Sequence, residues 1–138
     1  MELENVLLIG GSGFVGGWIA SCLSERGIRV TIPTRRRENT KKLIMLPMVS
    51  MVEANVHDPQ VLAQLMQGQD AVINLVGVLH DTDSRLPYGR GFQAAHVDLP
   101  KKIIAAMREN GVRRLVHMSA HRAGINAPSE YLRSKGDG

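Results

Sequence analysis

Three glycines near the start of the chain, Gly10, Gly13 and Gly16, follow an apolar run at Val6–Ile9. Between a strand and a helix, such glycines are typical of a phosphate-binding turn, because they permit a tight bend and let the backbone approach a pyrophosphate. The third glycine lets the helix pack closely on the strand, and the helix N-terminus offers unpaired N–H groups to the phosphates. The pattern predicts a dinucleotide site; a glycine-rich turn without a ligand is the alternative.

A second set of reactive side chains, Ser119, Tyr131 and Lys135, lies near the other end of the chain. Residues four apart share one face of a helix, so Tyr131 and Lys135 would be neighbours. An ammonium beside a phenol favours the phenolate and brings the pKa of a tyrosine down from about 10 toward neutrality. Such a tyrosine is a usable general acid and base for a carbonyl/alcohol pair. Lys135 would also hold the ribose next to the nicotinamide, and Ser119 would hydrogen-bond the substrate oxygen; a chance spacing is the alternative.

Arginines, rather than an acidic residue, follow the second predicted strand. At this position of a dinucleotide site an acid bonds the ribose hydroxyls, whereas an arginine accepts a 2′-phosphate. Here Arg35 and Arg36 come first, and Glu38 follows only after a third arginine. The sequence therefore predicts NADP(H) as the preferred cofactor, with NAD(H) as the alternative. For Arg37 and Lys41 we favour a solvated basic turn.

Hydrophobic periodicity and turn residues predict the elements that position these groups. Strands are predicted at 6–9, 28–32, 49–56, 70–76 and 114–119, and helices at 14–25, 38–46, 58–67 and 93–109. Repeated βαβ units imply a parallel sheet with helices on both faces. We therefore predict one α/β domain over residues 1–138, a doubly wound (Rossmann) fold with strand order 3-2-1-4-5 and its switch point between strands 1 and 4.

Local signals refine three of the helices. Asp58 and Pro59 are a suitable N-cap and first residue for the helix after the third strand. Pro100 places the start of the regular part of the fourth helix near Leu99. The first helix is expected to bury one apolar face, with the cysteine packed as a small core residue; that face consists of Val15, Ile19, Cys22 and Leu23.

The composition narrows the classes of function. The chain has 138 residues, of which 43% are hydrophobic, as in an ordinary globular domain. Its net charge of +4 invites a nucleic-acid interpretation, but aromatic residues make up only 4%, so base-stacking platforms are scarce. The single Cys22 excludes an internal disulfide, no apolar run is long enough to span a bilayer, and the histidines lack zinc spacing. We expect no nucleic-acid partner, no metal, no membrane insertion and a cytoplasmic location.

Taken together, the motifs resemble the extended and atypical branches of the short-chain dehydrogenase/reductase superfamily. The resemblance rests on the glycine turn, the arginines after strand 2, the Asn-Val pair after strand 3, the NLVG segment at 74–77 and the Ser…Tyr-x-x-x-Lys pattern. Members usually carry an aspartate where Asn55 stands, and the asparagine oxygen can still accept a hydrogen bond from the adenine amino group. The resemblance implies that Asn55 and Val56 contact the adenine.

The resemblance implies further site residues. Phe14 and Val15 belong to the cofactor site with the glycine turn, and the backbone of Leu75, Val76 and Gly77 lines the ribose and nicotinamide; an ordinary buried strand ending in glycine is the alternative. Ser119, Tyr131 and Lys135 match the superfamily's catalytic triad. His96 stands where extended members often carry an asparagine, so it is expected to brace the loop before its helix by donating to a backbone carbonyl, and His117 is expected to be packed or hydrogen-bonded in strand 5.

Within the superfamily, four phrases are most similar to the dehydrogenase-like accessory subunits of respiratory complex I and their bacterial epimerase-like relatives: ANVHDP, INLVGVL, HVDLPKKIIAA and YLRSK. This resemblance implies a tightly held NADP(H), in some members without turnover. Members normally continue into further strands and a C-terminal substrate domain. Since the chain ends at Gly138, inside the predicted catalytic helix, we expect an incomplete domain that lacks the substrate-binding part.

Two functions follow from the sequence. The first is the cofactor-binding portion of an NADP(H)-dependent oxidoreductase or nucleotide-sugar epimerase/dehydratase, in which hydride moves between nicotinamide and a substrate carbon and Tyr131 exchanges the proton. The second is a non-catalytic NADP(H)-binding accessory or assembly subunit, or an NADPH-sensing regulator. The expected partners are the dinucleotide, a small substrate such as a nucleotide sugar, and a protein partner or second copy. In the second case the location is peripheral to a membrane complex.

Overall fold

The fold is an alternation of strands and helices, seen in a computed structural model that describes residues 3–10, 14–34, 47–76, 93–118 and 134–135. In chain order the elements are β1 (Asn5–Ile9), α1 (Phe14–Glu25), β2 (Arg29–Thr34), β3 (Val49–Glu53), α2 (Pro59–Met66), β4 (Ala71–Asn74), a π-helical segment (Gln93–Asp98) that runs into α3 (Leu99–Glu109), and β5 (Leu115–His117). The helix predicted at 38–46 lies outside the described residues. None of the helices in the described ranges is long and apolar enough to cross a bilayer.

The five strands form one sheet in the order β3-β2-β1-β4-β5, and all neighbouring pairs are parallel. This arrangement confirms the predicted strand order. Because the strands are parallel, their carboxyl ends all lie at one edge, which we call the carboxyl edge. β2 and β3 are added on one side of β1, and β4 and β5 are added on its other side, so the strand order reverses between β1 and β4. Ligands of such sheets bind in the crevice at this switch point.

The core consists of two apolar clusters, one on each face of the sheet. On one face, Leu7 and Ile9 of β1 pack against Leu62 and Met66 of α2 and against Ile103 of α3. The other face has its own cluster, formed by Leu8, Ala20, Val30 and Ile32. Successive residues of β1 therefore point into different clusters, which is why the strand is apolar at consecutive positions. The two-sided packing confirms a doubly wound sheet.

The buried face of α1 differs from the prediction. Val15 is 45% exposed, and Cys22 is exposed as well, so Cys22 is not a core residue. The residues that face the sheet are the buried Gly16 and Ala20, flanked by the half-buried Ile19 and Leu23. A helix that approaches a sheet closely selects small side chains at the contact, as predicted for Gly16; a search for large apolar residues at helical spacing overlooks Ala20.

The other local predictions are confirmed. The Asp58 carboxylate accepts a hydrogen bond from Gln60 N at 2.9 Å, and Pro59 opens α2. The regular helix α3 begins at Leu99 with Pro100 in its first turn. The preceding π-helical segment continues the helical path without requiring the N–H group that proline lacks.

Gly10 stands at the end of β1 in a conformation that only glycine adopts easily. Its φ is +80°, and a β-carbon at this position would lie 2.8 Å from Val76 N and 3.0 Å from Leu75 C. Real β-carbons do not come so close to backbone atoms, so a side chain here would push the first turn of the site away from the end of β4. Gly27 has a similar φ of +75°, but its β-carbon would meet nothing within 4 Å.

This pair of glycines provides a matched test of the close approach. Both Gly10→Ala and Gly27→Ala should lose about 1–2 kcal/mol for a left-handed backbone. Gly10→Ala should cost a further ~1–3 kcal/mol, because the backbone of β1 or β4 must shift. Urea unfolding of the two variants measures the difference directly. Equal losses would show that the two strand ends do not restrict each other.

Candidate functional site

The crevice at the switch point is formed by backbone from β1 and β4. Leu75 N donates to Ile9 O at 2.8 Å, and Gly10 lies directly against Leu75 and Val76. Beyond this turn α1 begins at Phe14, and the N–H groups of its first turn have no partners within the helix. Val15 is exposed at this end, whereas Gly16 is buried. Gly10 thus makes the close backbone approach that a pyrophosphate-binding loop requires, and the glycine present there fits that group; residues 11–13 lie outside the described ranges.

A second part of the carboxyl edge is the loop after β3, where Asn55 and Val56 lie. Asn55 is exposed, and its Oδ1 accepts a hydrogen bond from His57 N at 3.1 Å. A carbonyl oxygen has two lone pairs, so this local contact leaves one acceptor position open. Val56 is half-buried and packs against the cluster below α2 and α3, so its side chain belongs to the core. The adenine contact remains a prediction for the Asn55 amide and the Val56 backbone.

Asn74 links the ends of β4 and β5, a role that the sequence analysis missed. Only 1% of Asn74 is exposed; its Oδ1 accepts from Val76 N at 3.2 Å, and its Nδ2 donates to His117 Nδ1 at 3.2 Å. Since the amide nitrogen is the donor, His117 carries its hydrogen on Nε2, which is buried and has no hydrogen-bond partner within the described part of the chain. The predicted hydrogen bonding of His117 is confirmed. The available signal was a polar residue inside the apolar run of β4.

Lys135 lies at the end of β5. It is only 4% exposed, and its Nζ donates to Met118 O at 2.6 Å. Burial lowers the pKa of Lys135, because an ammonium loses hydration there. Met118 directly precedes Ser119 in the chain, so the structure brings Lys135 to the strand end from which Ser119 follows. Ser119 and Tyr131 themselves lie outside the described residues.

His96, in the π-helical segment, contacts the residue that precedes Lys135. His96 is 1% exposed, and its Nδ1 is hydrogen-bonded to Ser134 Oγ at 2.7 Å. This contact runs to a side-chain hydroxyl; the expected contact to a backbone carbonyl of the loop before the helix concerns residues outside the described ranges and stays a prediction. Burial, together with the charge of Lys135 and the proximity of His117, lowers the pKa of His96 to about 4. Burial and Lys135 also lower the pKa of His117, so both imidazoles are neutral at pH 7.

The structure places only part of the predicted site. The predicted residues that it brings to the carboxyl edge are Gly10, Phe14, Val15, Gly16, Asn55, Val56, Leu75, Val76 and Lys135. Those that lie outside the described residues are Gly13, Arg35, Arg36, Gly77, Ser119 and Tyr131. Within the ranges that are described, no group of three or more His, Cys, Asp or Glu side chains is arranged to hold a metal ion.

A comparison with protein families finds one match that covers most of the chain. The model of the NAD dependent epimerase/dehydratase family matches residues 6–133. Among solved structures, the protein described as a mutated uronate dehydrogenase aligns with 99% of this chain and 51% of its own length, at a TM-score of 0.77 and 20% identity. This structural likeness independently supports the fold.

Curated relatives include mitochondrial subunits of NADH-ubiquinone oxidoreductase. The chain is 27% identical over 138 residues to the mitochondrial NADH-ubiquinone oxidoreductase 40 kDa subunit of Neurospora crassa, covering 98% of this chain and 36% of that protein. It is 28% identical over 135 residues to the mitochondrial NADH dehydrogenase [ubiquinone] 1 alpha subcomplex subunit 9 of Mus musculus, covering 95% of this chain and 34% of that protein. The chain thus spans about a third of the length of these relatives.

The buried histidine predicts a pH dependence of stability. Because His96 has a pKa of about 4 when folded and about 6.5 when unfolded, the unfolded chain binds an extra proton between these values. The free energy of unfolding should therefore fall as the pH drops from about 6.5 to 4, and His96→Asn should reduce this slope, leaving the part due to His117. Ser134→Ala, which keeps the imidazole buried, should retain it. An unchanged slope in His96→Asn would contradict the assignment; denaturant unfolding across this pH range measures it.

Proposed function

The chain belongs to the NAD dependent epimerase/dehydratase family, and from this premise we propose that it is the NADP(H)-binding portion of a short-chain dehydrogenase/reductase-like oxidoreductase or nucleotide-sugar epimerase/dehydratase. The observation that carries the proposal is the close backbone approach of Gly10 to Val76 at the switch point, inside the region that the family matches. A nicotinamide dinucleotide is the cofactor that the family description names, and the finer choice of NADP(H) is our proposal.

The residues at the carboxyl edge suggest how the cofactor is held. The turn from Gly10 to Gly16 and the first N–H groups of α1 bind the pyrophosphate. Asn55 and the Val56 backbone bind the adenine. The backbone of Leu75, Val76 and Gly77 lines the ribose and nicotinamide, and the Asn74 side chain fixes this segment through its bond to Val76 N.

In this proposal, two arginines determine the selectivity for NADP(H) over NAD(H). A guanidinium is always charged and presents a planar fork of donors that matches phosphate oxygens. Arg35 and Arg36 follow directly after β2, which ends at Thr34 beside the adenine end of the crevice. There they bind the 2′-phosphate, which NADP(H) carries and NAD(H) lacks.

Proton transfer is assigned to the Ser/Tyr/Lys group. When bound, the nicotinamide supplies or accepts the hydride. Tyr131 gives a proton to the substrate oxygen or takes one from it, Ser119 hydrogen-bonds that oxygen, and Lys135 stabilises the phenolate. The anchoring of Lys135 Nζ on Met118 O supports this role, because it holds the ammonium in a buried position where its charge acts strongly on a neighbouring phenol.

A second function has its own support. The curated relatives include mitochondrial subunits of NADH dehydrogenase, a multisubunit respiratory enzyme. A chain similar to them is a candidate for a non-catalytic accessory subunit, in which a bound NADP(H) is structural or sensory and the partner is a protein complex at a membrane. The two functions share the cofactor site and differ in turnover.

Replacing the proposed acid/base separates them. Tyr131→Phe should lower turnover of any UDP-sugar accepted by the wild type by ~10²–10⁴-fold, since general acid–base catalysis contributes about this much. NADPH affinity should be unchanged, because the phenol is not assigned to cofactor binding. Steady-state assays over a panel of UDP-sugars, with NADPH titrations as the control, measure both. Tight NADPH binding with no turnover of any sugar would support the accessory subunit instead.

Removing one arginine tests the choice of cofactor. Arg35→Ala should weaken NADPH binding about tenfold more than NADH binding, the loss expected for a charged hydrogen bond to phosphate. Arg37→Ala is the matched control and should weaken neither cofactor selectively. Fluorescence titrations with both reduced cofactors give the four ratios. Equal losses for NADPH and NADH in Arg35→Ala would overturn the NADP(H) assignment.

A further inference from the structure

A lysine on α3 reaches across to the loop after β3. Lys102 Nζ donates to His57 O at 2.9 Å, and the two residues are 45 positions apart in the chain. Lys102 is half-buried, whereas its neighbour Lys101 is exposed. The helix thus directs one of two adjacent lysines inward, onto the loop that carries the predicted adenine contacts.

The loop after β3 is also held by hydrogen bonds that do not involve Lys102. Ala54 N donates to Thr34 O at 3.0 Å, Asp58 N donates to Asn55 O at 3.2 Å, and His57 N donates to Asn55 Oδ1 at 3.1 Å. These bonds shape the loop locally and hold the Asn55 amide against His57. They do not fix the loop relative to α3; the Lys102 bond does, and it does so through the same residue, His57.

We propose that Lys102 is a positioning residue for the adenine subsite. By holding the His57 carbonyl, it fixes the His57–Asp58 peptide, whose N–H donates to Asn55 O. Asn55 is then held through its backbone by this peptide and through Oδ1 by His57 N, and the two bonds together set the direction of the remaining lone pair of Oδ1. An acceptor held in this direction prefers adenine, which has an amino group at C6, over hypoxanthine, which has a carbonyl there. The inference deepens the proposed function and rests on it.

The helical segment that carries Lys102 also carries His96. His96, six residues earlier, contacts Ser134 beside Lys135, at the other end of the proposed cofactor site. One continuous helical segment therefore contacts both the adenine loop, through Lys102, and the helical residues Ser134 and Lys135, through His96.

A purely structural role for Lys102 makes a different prediction. If the lysine only stabilised the packing of α3 against the start of α2, its loss would lower the melting temperature and weaken adenine and hypoxanthine dinucleotides by the same factor. A positioning role changes the ratio of the two affinities. The ratio is therefore the informative measurement.

The experiment compares NADPH with reduced nicotinamide hypoxanthine dinucleotide phosphate in the full chain. The wild type should prefer NADPH. Lys102→Met should bind NADPH about tenfold more weakly, as expected for the loss of one hydrogen bond from a charged donor, and the hypoxanthine analogue much less so. The ratio of its affinity for NADPH to its affinity for the hypoxanthine analogue should fall toward one. Lys101→Met is the matched control and should behave as wild type, and Lys102→Arg should retain most of the preference. If Lys102→Met does not fold, Lys102→Gln takes its place.

The outcomes separate this inference from the function on which it rests. A wild type that binds neither dinucleotide overturns the proposed function and this inference with it. A wild type that binds NADPH, with a ratio that Lys102→Met or Lys102→Gln leaves unchanged, overturns the positioning role alone. An effect of Lys101→Met equal to that of Lys102→Met also overturns it, since only overall charge would then matter.

Discussion

At the end of β1 the backbone of Gly10 lies so close to the backbone of Leu75 and Val76 that no β-carbon fits between them. This contact brings together the carboxyl ends of β1 and β4, the two strands between which the strand order reverses. The next described element, α1, begins at Phe14, and the N–H groups at a helix N-terminus favour an anion. The buried Gly16 and Ala20 bring that helix close to the sheet. The rest of the proposed site is arranged around this short distance.

A set of polar contacts extends from the crevice to the last described residues. Asn74 ties Val76 to His117, Lys135 is anchored on Met118, and Ser134 is bonded to His96. Burial lowers the pKa of both imidazoles, which are neutral at pH 7, and burial also lowers the pKa of the Lys135 ammonium. A buried charge acts strongly on its neighbours, which is the condition that a lysine needs to stabilise a phenolate. Lys135 is positioned directly by Met118 O and, through its neighbour Ser134, by His96.

The sequence was sufficient for features that depend on local signals. The strand order follows from repeated βαβ units, the cap at Asp58 from its position before Pro59, and the start of α3 from Pro100. The buried face of α1 was predicted in part: Ile19 and Leu23 pack against the core as expected, whereas Val15 and Cys22 are exposed and the small Ala20 is buried instead.

The partners of His96, Asn74 and Lys102 could not be predicted, since they are 38, 43 and 45 residues away, respectively. Contacts between residues so far apart in the sequence depend on tertiary packing, and such packing produces no periodic pattern in the sequence. The polar character of Asn74 inside an apolar strand was the one visible indication that its side chain had a specific partner.

Amide chemical-shift mapping with NADPH tests whether a dinucleotide binds across the carboxyl edge of the sheet. Binding there should shift the amides of Gly10, Gly16, Asn55 and Val76. The amides of Asn5, Gly27, Gly68 and Gly111, near the opposite ends of the strands, should not move. Saturating NADPH that perturbs neither group, or that perturbs only the second, would contradict the account.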